Sequence, residues 1–243
     1  IGLNLAVQGA PPESEDLFLQ TQYNNRIIDN PRLRTTASAE IDYRFHGRTV
    51  NMSASLFALR TWDGVEVSHY YDDLAFTYSD MVVSGLSFLH AGIEVAADVR
   101  FARNWSVSAA ATLGRYIYAD DPRVSLYSDR DNSLICDRSV AHMGDCFVGG
   151  SPQAVVTADV LYMNRGWGAR VTATYAGLRY VVPAVMRRTD RVSHQASMSE
   201  EIFDRFVSQE RLPDAVTVDA AVWKSFRFGD YSRIVVSLSV RNL

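Results

Sequence analysis

Apolar and polar residues alternate one for one over long stretches of the chain. Ala91, Ile93, Val95, Ala97, Val99 and Phe101 alternate with Gly92, Glu94, Ala96, Asp98 and Arg100. After Ala102-Arg103-Asn104 the pattern resumes, with Trp105, Val107, Ala109, Ala111 and Leu113 against Ser106, Ser108, Ala110, Thr112 and Gly114. A period of two places each set on one face of a β-strand, and a short polar turn between two such runs predicts a hairpin. Another hairpin is predicted over 36–62. There Ala39, Ile41, Tyr43 and Phe45 oppose Glu40, Asp42 and Arg44, and His46-Gly47-Arg48 is the turn. A third is predicted over 152–181 with the turn Asn164-Arg165-Gly166, and a fourth from Val216 to Val240 with the turn Gly229-Asp230-Tyr231-Ser232. Between them run long irregular segments, 63–81, 120–151 and 182–213. The last has a helical stretch from Ser197 to Gln209, with Ser199 as its cap and Ile202, Phe203 and Phe206 as its apolar face.

The result is roughly eight strands of about ten residues, joined alternately by short turns and long loops. That is the pattern of a transmembrane β-barrel with short periplasmic turns and long extracellular loops. A soluble sandwich has shorter strands and long loops at both ends. The apolar face is built of Ala and Val more than Leu and Phe, which suits lipid better than a close-packed core. Glu94, Asp98, Arg100, Asp159, Arg170 and Asp219 fall on the other face, where a wet lumen tolerates them. Phe101 with Trp105, and Tyr162 with Trp167, flank the short turns as a girdle at the water–lipid boundary does. No run of about 20 apolar residues exists, which excludes membrane helices and leaves a barrel open.

The net charge of −4 supplies no electrostatic footprint for nucleic acid. Ile1-Gly2-Leu3-Asn4-Leu5 carries neither an initiator Met nor a basic leader, so a mature or internal piece of an exported protein is expected. Cys136 and Cys146 lie in a segment rich in Asp, Arg, Ser and Gly. A metal or redox pair is one reading, but His142 is the only imidazole nearby. The expectation is a disulfide closing an exposed loop.

Ligand contacts in such a barrel come from the long loops and the upper lumen. Trp62, His69, Tyr70, Tyr71 and Tyr78 in the first excursion, with Tyr118 and Tyr127 near the second, are the candidates. Aromatic groups of this kind suit sugars, haem or aromatic siderophores, and the plainer alternative is that they pack loops together. His69 with Asp72 and Asp73 invites a metal or a hydrolase reading, yet no third ligand or nucleophile is arranged with them. No catalytic residue, metal site or cofactor is assigned. Arg187, Arg188 and Arg191 could attract an anionic ligand or lipopolysaccharide; interleaved with Asp190, they read first as solvated loop charge.

Several segments resemble the barrel of TonB-dependent outer-membrane receptors, in the style of Bacteroidetes sequences. Asn30-Pro31-Arg32-Leu33 followed by Glu40-Ile41-Asp42-Tyr43-Arg44-Phe45 is similar to one stretch, and Ala91-Gly92-Ile93-Glu94-Val95 to another. Arg103-Asn104-Trp105-Ser106-Val107 resembles a family hairpin, and Val218-Asp219-Ala220, Phe226-Arg227-Phe228 and Val240-Arg241-Asn242-Leu243 resemble the end region. Arg241 departs from the Asn usual there. The resemblance implies the C-terminal part of a barrel of about 22 strands, whose plug domain and final strands lie outside residues 1–243. It implies integral location in the bacterial outer membrane and import of a scarce nutrient: siderophore, haem, cobalamin, oligosaccharide or peptide. Partners would be the TonB complex acting through the plug, the lipid bilayer with its lipopolysaccharide, the nutrient, and a surface lipoprotein lid if the cargo is a glycan. A small complete barrel serving as an adhesin or structural surface protein, and an outer-membrane hydrolase, are the alternatives.

Overall fold

The computed structural model describes the chain apart from residues 21–23, 74–75, 196–197, 230 and 243. Strand β1 (Gly2–Ala10) is followed by a helical turn, α1 (Ser14–Leu17), and a small pair, β2 (Phe18–Gln20) and β3 (Asn24–Ile27). Then come β4 (Arg34–His46), β5 (Val50–Asp72), β6 (Thr77–Ala102) and β7 (Trp105–Tyr118). Strands β8 (Arg123–Ser128) and β9 (Leu134–Val140) form a short hairpin before β10 (Ala154–Asn164) and β11 (Trp167–Gly177). A two-residue strand β12 (Arg179–Tyr180), a 3-10 turn (Val185–Arg188), helices α2 (Asp190–Gln195) and α3 (Glu200–Phe206), and β13 (Arg211–Leu212) lead to β14 (Ala215–Phe228) and β15 (Ser232–Val240).

Among the described residues, nine strands make one antiparallel wall in the order β1-β4-β5-β6-β7-β10-β11-β14-β15. The predicted hairpins account for eight of them. The ninth, β1, pairs along its whole length with β4, Leu3 opposite Ile41 and Val7 opposite Ala37. The wall does not close: β1 and β15 are each paired on one side only.

Register carries the alternation across the wall. Val50 lies beside Val99, Val99 beside Val107, Val107 beside Val160, Val160 beside Val171, Val171 beside Ala220, and Ala220 beside Val240. This face leaves Leu3, Leu5, Ile41, Leu56, Ile93, Leu113, Val171, Ile234 and Leu238 exposed, as a lipid-facing surface must. Trp105 meets Tyr162 at 4.8 Å beside the short turns, and the Lys224 ammonium sits 4.8 Å from the Trp167 ring while donating to the Arg165 carbonyl. Here an amphipathic lysine stem crosses apolar surface to reach the rim. The opposite face carries polar rungs: Ser55 donates to Glu40, Ser108 to Asp98, and Arg170 pairs with Asp159 at 3.5 Å. The turn after β10 has Arg165 and Gly166 at φ 43° and 81°, the two positive angles a tight two-residue hairpin turn needs.

Among the described residues the first excursion is mostly strand, and the second carries the β8–β9 hairpin before an irregular stretch. β5 has 23 residues and β6 has 26. At about 3.3 Å per residue these strands far exceed a hydrocarbon layer of about 30 Å. Beyond the wall, β6 leaves β7 and pairs with β8, so that β5, β6, β8 and β9 form an outer sheet. The change occurs at a double irregularity. Gly64 lies opposite Leu86 and Val65 opposite Ser84, so Gly85, at φ +75°, is an unpaired extra residue. A bulge of this kind bends a strand and resets which residues face which side.

Candidate functional site

The buried hydrophobic residues lie outside the lipid-facing belt, almost all of them in the outer sheet and its covers. Val83, Leu86, Val124, Leu126, Ala141 and Met143 form one core, on the sheet face that continues the polar, lumen-side face of the wall. Tyr70, Phe88, Tyr118, Ile135, Cys136, Val185 and Met186 pack against it. Leu19, Ile28, Val82 and Tyr127 form a second core on the opposite face, covered by the β2–β3 segment. Adjacent Val82 and Val83 alternate between the two cores, and the bulge at Gly85 is what lets Leu86 and Val83, three residues apart, share the first.

Salt links and backbone bonds fasten the covers. Arg191 of α2 pairs with Asp72 of β5 at 2.7 Å, both side chains buried. His142 lies 2.7 Å from Asp190 and 3.8 Å from Asp121, with Phe203 edge-on to its ring. Asp121 accepts from the Met143 and Gly144 amides. Gln209 bonds the Phe147 backbone in both directions and also donates to the Val181 carbonyl. Arg188, also buried, donates to the carbonyls of His142 and Val207. The reading of the arginine run as solvated charge is therefore corrected for Arg188 and Arg191. Guanidinium groups bury readily where several acceptors match their fork, and here the acceptors come from distant segments.

The disulfide is corrected too. Cys136 and Cys146 are both free thiols. Cys136 sits on β9 opposite Leu126 and against the first core. Cys146 sits in a turn, its amide bonded to Met143 and its carbonyl to Tyr118. Each is held by a different part of the domain. Burial pushes the Cys146 thiol up, against the pull of nearby Arg188.

The candidate ligand residues separate into five places. Tyr70 and Tyr118 share the first core, and burial together with neighbouring Asp72 pushes the Tyr70 phenol up to about 12. Tyr127 lies in the second core and donates to Asp29 at 2.8 Å. Burial, then that bond, push its phenol up to about 12 as well. Tyr71 and Tyr78 pair edge-to-face at 5.3 Å, exposed near the hairpin tip. Trp62 is half-buried on β5, with the Arg60 guanidinium 5.6 Å from its ring. His69 and Asp72 point to opposite faces: His69 meets Asp80 at 2.7 Å and Asp72 meets Arg191. The suggested His69–Asp72–Asp73 grouping is not formed. Among the described residues no group of three or more His, Cys, Asp or Glu is placed to hold a metal.

A further set escaped sequence reading. Phe57, Tyr116, His90, Phe88 and Tyr118 make a ladder of rings up the lumen-side face, with successive centroids 6.4, 5.1, 6.3 and 5.0 Å apart. Gly92 and Gly114, paired with each other, lie beneath its lower end. A Cβ on Gly92 would come 2.9 Å from the Phe57 ring, and one on Gly114 2.5 Å from the Tyr116 ring. The available signal was a ring at polar-side position 57 of β5, 88 and 90 of β6, and 116 and 118 of β7, where the alternation elsewhere in the wall placed small or charged groups.

An open wall with one lipid face, a polar lumen face and a folded outer domain agrees with a specific family. The family model for the TonB-dependent receptor-like β-barrel matches residues 6–243. The chain belongs to this family. The receptor barrel resembles the solved copper transporter OprC, with a TM-score of 0.60 at 11% identity over 99% of this chain and 30% of that one. At that identity the likeness concerns the fold alone, and the receptor barrel spans about three tenths of OprC. No curated protein matches the sequence.

Proposed function

We propose that this chain is a sector of a larger outer-membrane barrel that imports a scarce nutrient with energy supplied through TonB. The observation that carries the reading is the continuity of one face. Polar rungs in the wall, the aromatic ladder and the first outer core lie on the same side of β5 and β6, whereas the other side of the wall is given to lipid. A ligand arriving from outside would meet Tyr71 and Tyr78 near the tip, then the covers, then the ladder. A plug domain outside residues 1–243 would fill the lumen and contact TonB. The two one-sided edges support the larger barrel, because unpaired backbone in lipid costs several kcal/mol per group.

The test is growth of a deletion strain on one limiting nutrient at a time: ferric siderophore, haem, cobalamin, oligosaccharide or peptide. Loss of growth on one of these, reproduced by deleting TonB and restored by the full-length receptor, is the expected result. Normal growth of the receptor deletion on all five, or a defect that TonB deletion does not reproduce, would overturn it.

A further inference from the structure

Residues 181–184, 187–188 and 205–210 line an open cleft of about 310 Å³ between the 3-10 turn and the C-terminal end of α3. That volume is at the lower end for small-molecule sites. Three guanidinium groups, those of Arg187, Arg188 and Arg205, line it together with a single carboxylate, Glu210. Among the described residues none of the three is held in an ion pair with a carboxylate. Each is fixed or available in a different way. Arg188 is buried, donating to the carbonyls of His142 and Val207 with the Cys146 thiol beside it. Arg187 lies 5.3 Å over the Phe206 ring, which orients its guanidinium without using its N–H donors. Arg205, near the end of α3, is exposed. Elsewhere in the outer domain buried charge is matched, as in the Asp72–Arg191 pair. A buried cation without a counter-charge is costly, and an anion in the cleft would supply that charge with two further guanidinium groups in reach.

We infer that this cleft binds a free small molecule bearing carboxylate or phosphate groups. Such a ligand accepts charge-assisted hydrogen bonds from Arg187, Arg188 and Arg205, while Pro183 and Phe206 offer apolar wall. The inference rests on the transport reading only in naming a ligand class, and binding can be measured without transport. The phosphates of lipopolysaccharide share this chemistry and are the competing source.

The experiment is calorimetric titration of the purified full-length receptor in detergent with inorganic phosphate and with phthalate at low salt, alongside the double variant R187E/R205E. Both residues are exposed, so the variant leaves the packed Arg188 in place, and unchanged heat-modifiable migration verifies its fold. Saturable binding of either probe by the parent, weakened at least tenfold in the variant, is expected. Arg187→Lys/Arg205→Lys should recover part of the lost affinity, because charge returns without the bidentate fork. Absence of saturable binding by the parent, or equal binding by the variant, overturns the inference. Loss of co-purifying lipopolysaccharide in the variant, with probe binding unchanged, also overturns it and assigns the arginines to the membrane surface. Retained probe affinity with lost nutrient uptake, or the reverse, separates this inference from the transport reading.

Discussion

Asp72 and Arg191 show how much the outer domain depends on single contacts between distant parts of the chain. Their 2.7 Å pair joins β5 to α2 in a buried setting. Replacing Asp72 with Ala leaves a buried guanidinium uncompensated, at a cost of about 3–5 kcal/mol, whereas D72L/R191M removes both charges and recovers most of it. Urea midpoints for protease resistance of the 182–213 segment measure both. Tyr70 and Tyr127 permit a second prediction. Each phenol is raised to about 12, so the folded protein keeps its proton in a range where the unfolded chain loses it. Their contribution is complete below about pH 10, the ordinary tyrosine value, and is lost as the pH climbs toward 12. Phenolate absorbance should show a late-titrating group of tyrosines, from which Y70F and Y127F each remove one. At this scale the sequence was least informative. Arg188 and Arg191 looked solvated because their acceptors are dozens of positions away, and Cys136 with Cys146 looked like a bridge because proximity along the chain says nothing of opposing supports.

Elements were legible wherever one face meets lipid and the other water. The four hairpins follow from that contrast, and their strands break at the short polar stretches; Asp230 of the fourth turn lies outside the described residues. β1 was missed although Leu3, Leu5 and Val7 alternate with Asn4, Ala6 and Gln8, because it has no hairpin partner next to it in sequence. The outer strands were missed for a different reason. Met81-Val82-Val83 and Val124-Ser125-Leu126-Tyr127 are covered on both faces, so alternation disappears and the runs read as irregular. α3 forms within the expected helical stretch, with Ser199 at its N-cap position but without a side-chain capping bond; Ser197 lies outside the described residues. Ile202 is exposed, and Phe203 makes the contact with His142 instead. The bulge at Gly85 supplies the decisive test at this scale. Deleting Gly85 should force Val82 and Val83 to exchange faces and dismantle both outer cores, while the wall pairing of 88–102 persists. Proteolytic loss of the outer domain from a receptor that still shows heat-modifiable migration is the expected result.

At the level of the whole molecule, the nine-stranded wall is a strip with two unsatisfied edges. Residues 1–243 produced alone should therefore fail to give a heat-modifiable barrel in detergent, whereas the full-length receptor should give one; gel migration of boiled and unboiled samples decides it. The ladder of rings and the arginine-lined cleft were not legible as sites in the sequence, although single members such as Tyr118 were, because both assemble only when segments far apart in the chain come together. The separation between an exposed apolar wall and a buried outer core has a further consequence. The two regions are stabilised against different solvents: one by exclusion of water from a packed interior, the other by hydrocarbon that the protein itself does not provide. Urea acts on the first far more directly than on the second. A receptor held in lipid should therefore lose its outer structure at denaturant concentrations that leave its membrane strands paired, so that the outer part can loosen and refold on an anchor that stays intact.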